Sequence, residues 1–182
     1  MPIAIAVGGL LTVGLVAMLD ISKPAKPSFR ATKRMTSDGR SFDPALSPDG
    51  RLLAYASPAG GDVAHIWLRQ IGGGDPIQVT SSAAGDSQPD FSPDGTRIAF
   101  QKVVGPNVDV YVKYLYGGAE RRLTTDPGYD GVPTWSPDGT RIAFQSQRTG
   151  KSQIWVVNSA TGGSLTQITK SAFEEKSATW SH

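Results

Sequence analysis

The chain has no cysteine, which excludes a disulfide framework and any thiolate-held metal, and fits either an oxidising or a reducing compartment. Histidine is almost as scarce, with only His65 and His182. Metal ligation by His and Cys is therefore excluded, although a site built from oxygen ligands is not. A Ser-His-Asp triad would have to use His65, which lies beside an expected strand, or the terminal His182. No G-x-S-x-G nucleophile elbow occurs. Neither sign of charge dominates: 18 Lys and Arg against 16 Asp and Glu give a formal net charge of +2. That balance argues against nucleic acid, which demands a concentrated basic patch. Nothing in this inventory points to a catalytic residue, a cofactor or a metal.

Glycine and proline are plentiful, at 21 and 13 in 182 residues. Most stand at fixed places in a repeat, so they punctuate strands and do not mark disorder. The stretch Ser92–Phe100, SPDGTRIAF, recurs letter for letter at Ser136–Phe144, and as SPDGRLLAY at Ser47–Tyr55. Ser181 falls one period further on, so the steps are 45, 44 and 45 residues. In each copy Pro48, Pro93 or Pro137 presets φ for a type I turn, and Asp49, Asp94 or Asp138 can bond the local backbone. Gly50, Gly95 or Gly139 then supplies a left-handed residue, which makes a three-residue hairpin connection. A calcium loop is the competing reading, but one Asp per turn does not supply the alternating oxygen ligands or the distal Glu that it needs.

Four strand signals fill each period. The first ends at the turn, and the second is the apolar triplet after it, such as Ile98-Ala99-Phe100. The third is Ile66-Trp67-Leu68, Val110-Tyr111-Val112 or Ile154-Trp155-Val156, and the fourth ends in Val79-Thr80, Leu123-Thr124 or Ile168-Thr169. A Gly pair precedes each fourth strand, as hairpins favour. Four antiparallel strands in about 40–45 residues is the pattern of a propeller blade. The expectation is an all-β, incomplete β-propeller over 29–182, with blades near 37–80, 81–124 and 125–169 and the start of a fourth at 170–182. Lys33-Arg34-Met35-Thr36 resembles Arg121-Arg122-Leu123-Thr124, so residues 29–36 read as an outermost strand without a blade before it. Three blades and two stubs fall short of the four to eight that close a ring, which predicts a portion of a six- to eight-bladed protein whose open edges invite self-association.

Residues Ile3–Leu19 form an uncharged apolar run, here read as part of an N-terminal hydrophobic helix over 1–21, with a Lys-, Pro- and Ser-containing linker after it at 22–28. A signal peptide would want a basic segment before the run; a buried core helix is the other alternative, but the run is apolar all round and carries three glycines. A membrane anchor or uncleaved signal anchor fits best, at the short edge of a spanning length. Lys23, Lys26, Arg30, Lys33 and Arg34 all stand after the span and none before it, which by the positive-inside rule argues for blades in the cytoplasm, an inference that fails if a cytoplasmic domain stands ahead of the span.

The pattern P-x-[W/F/L]-S-P-D-G-x-x-[I/L]-A-[F/Y] resembles the TolB-like propeller repeats, a WD-repeat-like family, and the resemblance covers about residues 29–182. It implies a periplasmic or extracytoplasmic protein-binding platform. The apolar segment and linker depart from TolB, where another domain precedes the propeller. They are more similar to receptor-like proteins that carry a kinase or a winged-helix domain ahead of a span. The same repeats precede the hydrolase domain of prolyl-oligopeptidase-like peptidases. Gly150-Lys151-Ser152 looks like the tail of a P-loop, but Gln145 stands where its first Gly belongs, so a hairpin tip is expected. Trp67, Tyr111, Trp155, Phe91, Trp135 and Trp180 recur in register and read as inter-blade packing. Asp43, Asp86, Gln88 and Asp130 are placed before the first strands, in loops at one rim. There they would either bind a basic peptide or cap the loop.

Overall fold

The computed structural model describes residues 33–181, apart from 82 and 84. The chain divides into two units, Met1–Arg34 and Met35–His182, and every strand belongs to the second. The apolar run at 3–19, the linker at 22–28 and His182 lie outside the described residues. Among the described residues no helix is long and apolar enough to cross a membrane.

Among the described residues, twelve strands form three four-stranded antiparallel sheets. The first sheet, blade 1, holds β1 (Phe42–Leu46), β2 (Leu52–Ser57), β3 (His65–Gln70) and β4 (Ile77–Gln78). Blade 2 holds β5 (Asp86–Phe91), β6 (Arg97–Val104), β7 (Asn107–Tyr114) and β8 (Arg121–Arg122). Blade 3 holds β9 (Asp130–Trp135), β10 (Arg141–Ser146), β11 (Gln153–Asn158) and β12 (Thr166–Gln167). Each sheet runs in sequence order, so each is a meander of hairpins and the fold is an incomplete β-propeller. The first strands of successive sheets are neighbours, β1 to β5 and β5 to β9, while the fourth strands lie at the outer edges.

The repeated turn closes as its residues dictate. Gly95 N–H donates to Ser92 O at 2.8 Å, and Gly95 has φ +67°. Asp94 Oδ1 accepts from Thr96 N at 3.0 Å and from Ser92 Oγ–H at 2.5 Å. The turns at Asp49 and Asp138 repeat these bonds. The serine contributes as much as the Pro-Asp-Gly, because its buried hydroxyl also accepts the N–H that reopens the ladder, Arg97 N at 2.9 Å.

The blades bury the faces they turn to one another, so the cores lie between blades and not within them. Ala54, Ala56 and Ile66 of blade 1 meet Phe91, Ile98 and Phe100 of blade 2. Ala99, Val110, Val112 and Leu123 of blade 2 meet Trp135, Ile142, Phe144 and Val157 of blade 3. Ile98 and Phe100 point one way and Ala99 the other, as period-2 alternation requires. The far face of blade 3 is covered by the chain itself. Ala178 and Trp180 pack on Ala143, Ile154 and Val156, and Trp180 Nε1–H donates to Thr134 O at 3.1 Å.

Two expectations need correction. Residues 33–36 lie in no strand, and Met35 O accepts Arg69 Nη1–H at 2.7 Å, a side-chain bond and not a ladder bond. The fourth strands are only two residues long and end before Val79, Leu123 and Ile168. Each later Thr, such as Thr80, turns its hydroxyl back to accept Ile66 N–H at 3.0 Å.

The turn carboxylates set an acid limit. The Ser92 hydroxyl bond holds the Asp94 carboxyl at about 2, and the Ser136 bond holds Asp138 at about 2, against 3.8 for a free side chain. A depressed native pKa contributes stability that is present above about pH 4 and lost as pH falls toward 2. Burial pushes the carboxyls of Asp90 and Asp130 up, so each costs stability at neutral pH, and that cost is relieved as pH falls toward 4. The thermal midpoint, measured by circular dichroism, should therefore fall most steeply between about pH 4 and 2, and Asp94→Asn with Asp138→Asn should flatten that fall.

Candidate functional site

Three inner strands carry the same irregularity. Asp43, Gln88 and Val132 each stand four residues before the turn serine and have φ of 50°, 54° and 52°. Ser177, one period on, has φ 57°. The β1–β2 register skips between Phe42 and Ala45, and the β5–β6 register between Ser87 and Asp90. The β9–β10 register skips between Gly131 and Thr134. These are bulges, and Pro44, Pro89 and Pro133 explain them. Proline has no N–H to give the ladder, so the strand bends out where the proline falls.

The bulges bring polar groups together on the inner wall. Gln88 N–H of blade 2 donates to Asp43 Oδ2 of blade 1 at 3.3 Å. The equivalent N–H of Val132 goes instead to Gln101 Oε1 at 3.1 Å, which also accepts Tyr129 O–H at 2.9 Å. Gln101 Nε2–H donates to Ser87 Oγ at 2.9 Å. Gly131 makes this cluster fit, since a Cβ there would lie 2.3 Å from Gln101 Oε1 and 2.4 Å from Tyr129 Oη. Burial raises the pKa of the Tyr129 phenol, and the Asp43 carboxylate adds to that. The phenol therefore stays a donor at neutral pH.

The four residues singled out from sequence lie inside strands, not in loops before them, and divide into two pairs. Asp43 and Gln88 are half-buried on the bulges. Asp86 and Asp130 are fully buried. Asp86 Oδ2 stands 3.3 Å from His65 Nδ1, which ties blade 2 to blade 1. Asp130 Oδ2 accepts Arg148 Nη2–H at 2.8 Å. The His65–Asp86 pair has the contact of two triad members, but the serine opposite it, Ser57, gives its Oγ–H to Asp38 Oδ2 at 2.5 Å. Gly150-Lys151-Ser152 lies in the turn between β10 and β11. Gln101, Tyr129, Ser87 and Gly131 were missed; a glutamine directly after the buried triplet Ile98-Ala99-Phe100 was the available signal.

A row of bulged first strands, each in a four-stranded blade, defines the class, an incomplete β-propeller with a polar inner wall. The chain belongs to the family described as the TolB beta propeller domain, which matches residues 29–182. A putative TolB from Agrobacterium tumefaciens is similar at 34% identity and a TM-score of 0.70, over 74% of this chain and 48% of that one. TolB from Acinetobacter baumannii is similar at 30% identity and a TM-score of 0.64, over 73% of this chain and 33% of that one. Among curated proteins, the "Uncharacterized peptidase YuxL" of Bacillus subtilis (strain 168) is 44% identical over 59 residues, which is 32% of this chain and 9% of that protein. The chain thus spans less than half the length of each.

Two substitutions test the geometry. Val132 is β-branched at positive φ, so Val132→Asn, which tolerates that region, should stabilise the fold by about 1 kcal/mol in urea denaturation. Gln101→Leu leaves Val132 N–H and Tyr129 O–H without an acceptor, and should destabilise by about 1–3 kcal/mol in the same measurement.

Proposed function

We propose that this propeller is a non-catalytic binding platform that takes a protein or peptide partner along its inner wall at Asp43 and Gln88. The observation that carries the reading is the alignment of the bulges. They turn the same position of successive blades toward one surface and put a half-buried carboxylate there. Asp43 suits a basic side chain, and the polar groups beside it suit an extended backbone. Family membership supports the same reading, as does the similarity to TolB proteins. We place the platform outside the cytoplasm, held by residues 3–19 as a membrane anchor, and as part of a larger propeller.

The test is selection of displayed random peptides on the full chain, with affinity measured for those enriched. Asp43→Asn keeps an acceptor for Gln88 N–H and a residue that tolerates positive φ, yet removes the charge. Basic peptides should be enriched, and should bind the variant about tenfold more weakly, with a shallower salt dependence. Equal binding to both proteins would sink the assignment of Asp43.

A second reading rests on the Bacillus subtilis similarity: these blades would be the propeller of a prolyl-oligopeptidase-like peptidase. A hydrolase segment with a nucleophile elbow in the same reading frame would favour it.

A further inference from the structure

The repeat supplies its own control for what fills the gap between neighbouring Pro-Asp-Gly turns. Five residues after each turn serine stand Leu52, Arg97 and Arg141. Arg97 lays its guanidinium 4.5 Å from the ring centroid of Trp135 on the next blade. Its Nη2 is 3.5 Å from Asp94 Oδ2 of its own turn, and it also reaches 3.8 Å from the Cβ position of Gly139 on the next turn. Arg141 repeats the ring contact, 4.9 Å from the centroid of Trp180. Two of the three positions thus carry an arginine held by an aromatic ring, and Arg97 also by the turn aspartate.

Between blades 1 and 2 that arginine is missing. Leu52 packs against the cluster that holds Phe91 and lines the gap between the turns with an apolar side chain where Arg97 and Arg141 carry a guanidinium. A cleft of about 270 Å³ remains between the two turns, walled by Asp49, Pro93, Gly95 and Tyr116. It adjoins a groove of about 650 Å³ that Tyr116 also lines, together with Leu52 and Ile77. Tyr116 is 85% exposed, a large ring with almost no cover of its own. Arg51 does not fill the cleft: its side chain is 85% exposed and its Nε approaches Asp49 Oδ2 only at 3.9 Å. The cleft therefore keeps the carboxylate and gains an aromatic ring, but lacks the cation that Arg97 supplies one blade on.

We propose that the cleft between the first two turns receives an arginine side chain from a partner protein, with the guanidinium held between Asp49 and the ring of Tyr116. Arginine is favoured over lysine because a planar guanidinium can stack on a ring and present a flat edge to a carboxylate together, which an ammonium cannot. The apolar groove beside the cleft accommodates the residues that flank the arginine.

The test uses the full chain and the peptide acetyl-Gly-Arg-Gly-amide, with its lysine and citrulline counterparts, read by saturation-transfer NMR. The arginine peptide should bind saturably, and the other two about tenfold more weakly. Leu52→Arg supplies the missing side chain from within, so it should weaken peptide binding about tenfold or more. Tyr116→Ala removes an exposed ring and should do the same without disturbing the core. If Leu52→Arg loses the native near-ultraviolet dichroism, Tyr116→Ala decides alone. Equal binding of the arginine and lysine peptides, no saturable binding, or wild-type affinity in Tyr116→Ala would overturn the proposal.

Discussion

Every blade needs a neighbour, and the rest of the structure depends on that constraint. A strand such as β6 turns Ile98 and Phe100 to blade 1 and Ala99 to blade 3, so neither face can be left in water without exposing apolar surface. A single sheet of this kind has no core of its own. Its stability resides at the interfaces, as in other repeat proteins where nearest-neighbour terms dominate. The end faces show the consequence. Trp180 and Ala178 cover one side of blade 3, and residues near Asp38 tie to the open side of blade 1 through Ser57. Phe42 and Leu46 of β1 nonetheless remain exposed.

Polar groups then set how the blades are oriented. Hydrophobic packing is non-directional, but Asp43 to Gln88, Asp90 to Trp135 N–H at 2.7 Å and His65 to Asp86 each join one inner or third strand to the next blade. Burying these carboxylates costs solvation, and the raised pKa of Asp90 reflects it. Each such bond is directional, so it is made in only a narrow range of sheet alignments. The strained φ of Val132 belongs to the same logic: the bulge has to recur to keep the inner wall in register, even where the residue is poorly suited to it.

The fold was legible because its signals are local. Pro, Asp and Gly in a turn act on residues three or four apart, and alternation along Ile98-Ala99-Phe100 acts on residues two apart. The fourth strands were legible as positions and not as lengths, since their ends depend on the Thr80-type hydroxyl that replaces a ladder bond. The candidate site was half legible. Asp43 and Gln88 stood out as non-repeating polar residues beside a turn. Asp86 and Asp130 stood out equally, yet both are buried. A one-residue bulge reverses which way a side chain points, and the prolines that cause it look the same in sequence as any strand-edge proline. Gln101 and Tyr129 meet across 28 residues and two blades, a contact with no local signature.

Repetition makes departures informative, because positions under the same packing demand can be compared within one molecule. The third residue from the start of the apolar triplet stays aromatic throughout, at Tyr55, Phe100 and Phe144, as packing requires. The position before the triplet does not hold. Its arginine is kept twice, over Trp135 and Trp180, and lost once, where the neighbouring ring is Phe91. A leucine there satisfies the core but leaves the turn aspartate and an exposed tyrosine facing a gap. At the next junction an aromatic ring and a carboxylate hold the arginine in that place. A position where the repeat gives up such a contact and opens a cleft is better explained by something that enters from outside than by packing.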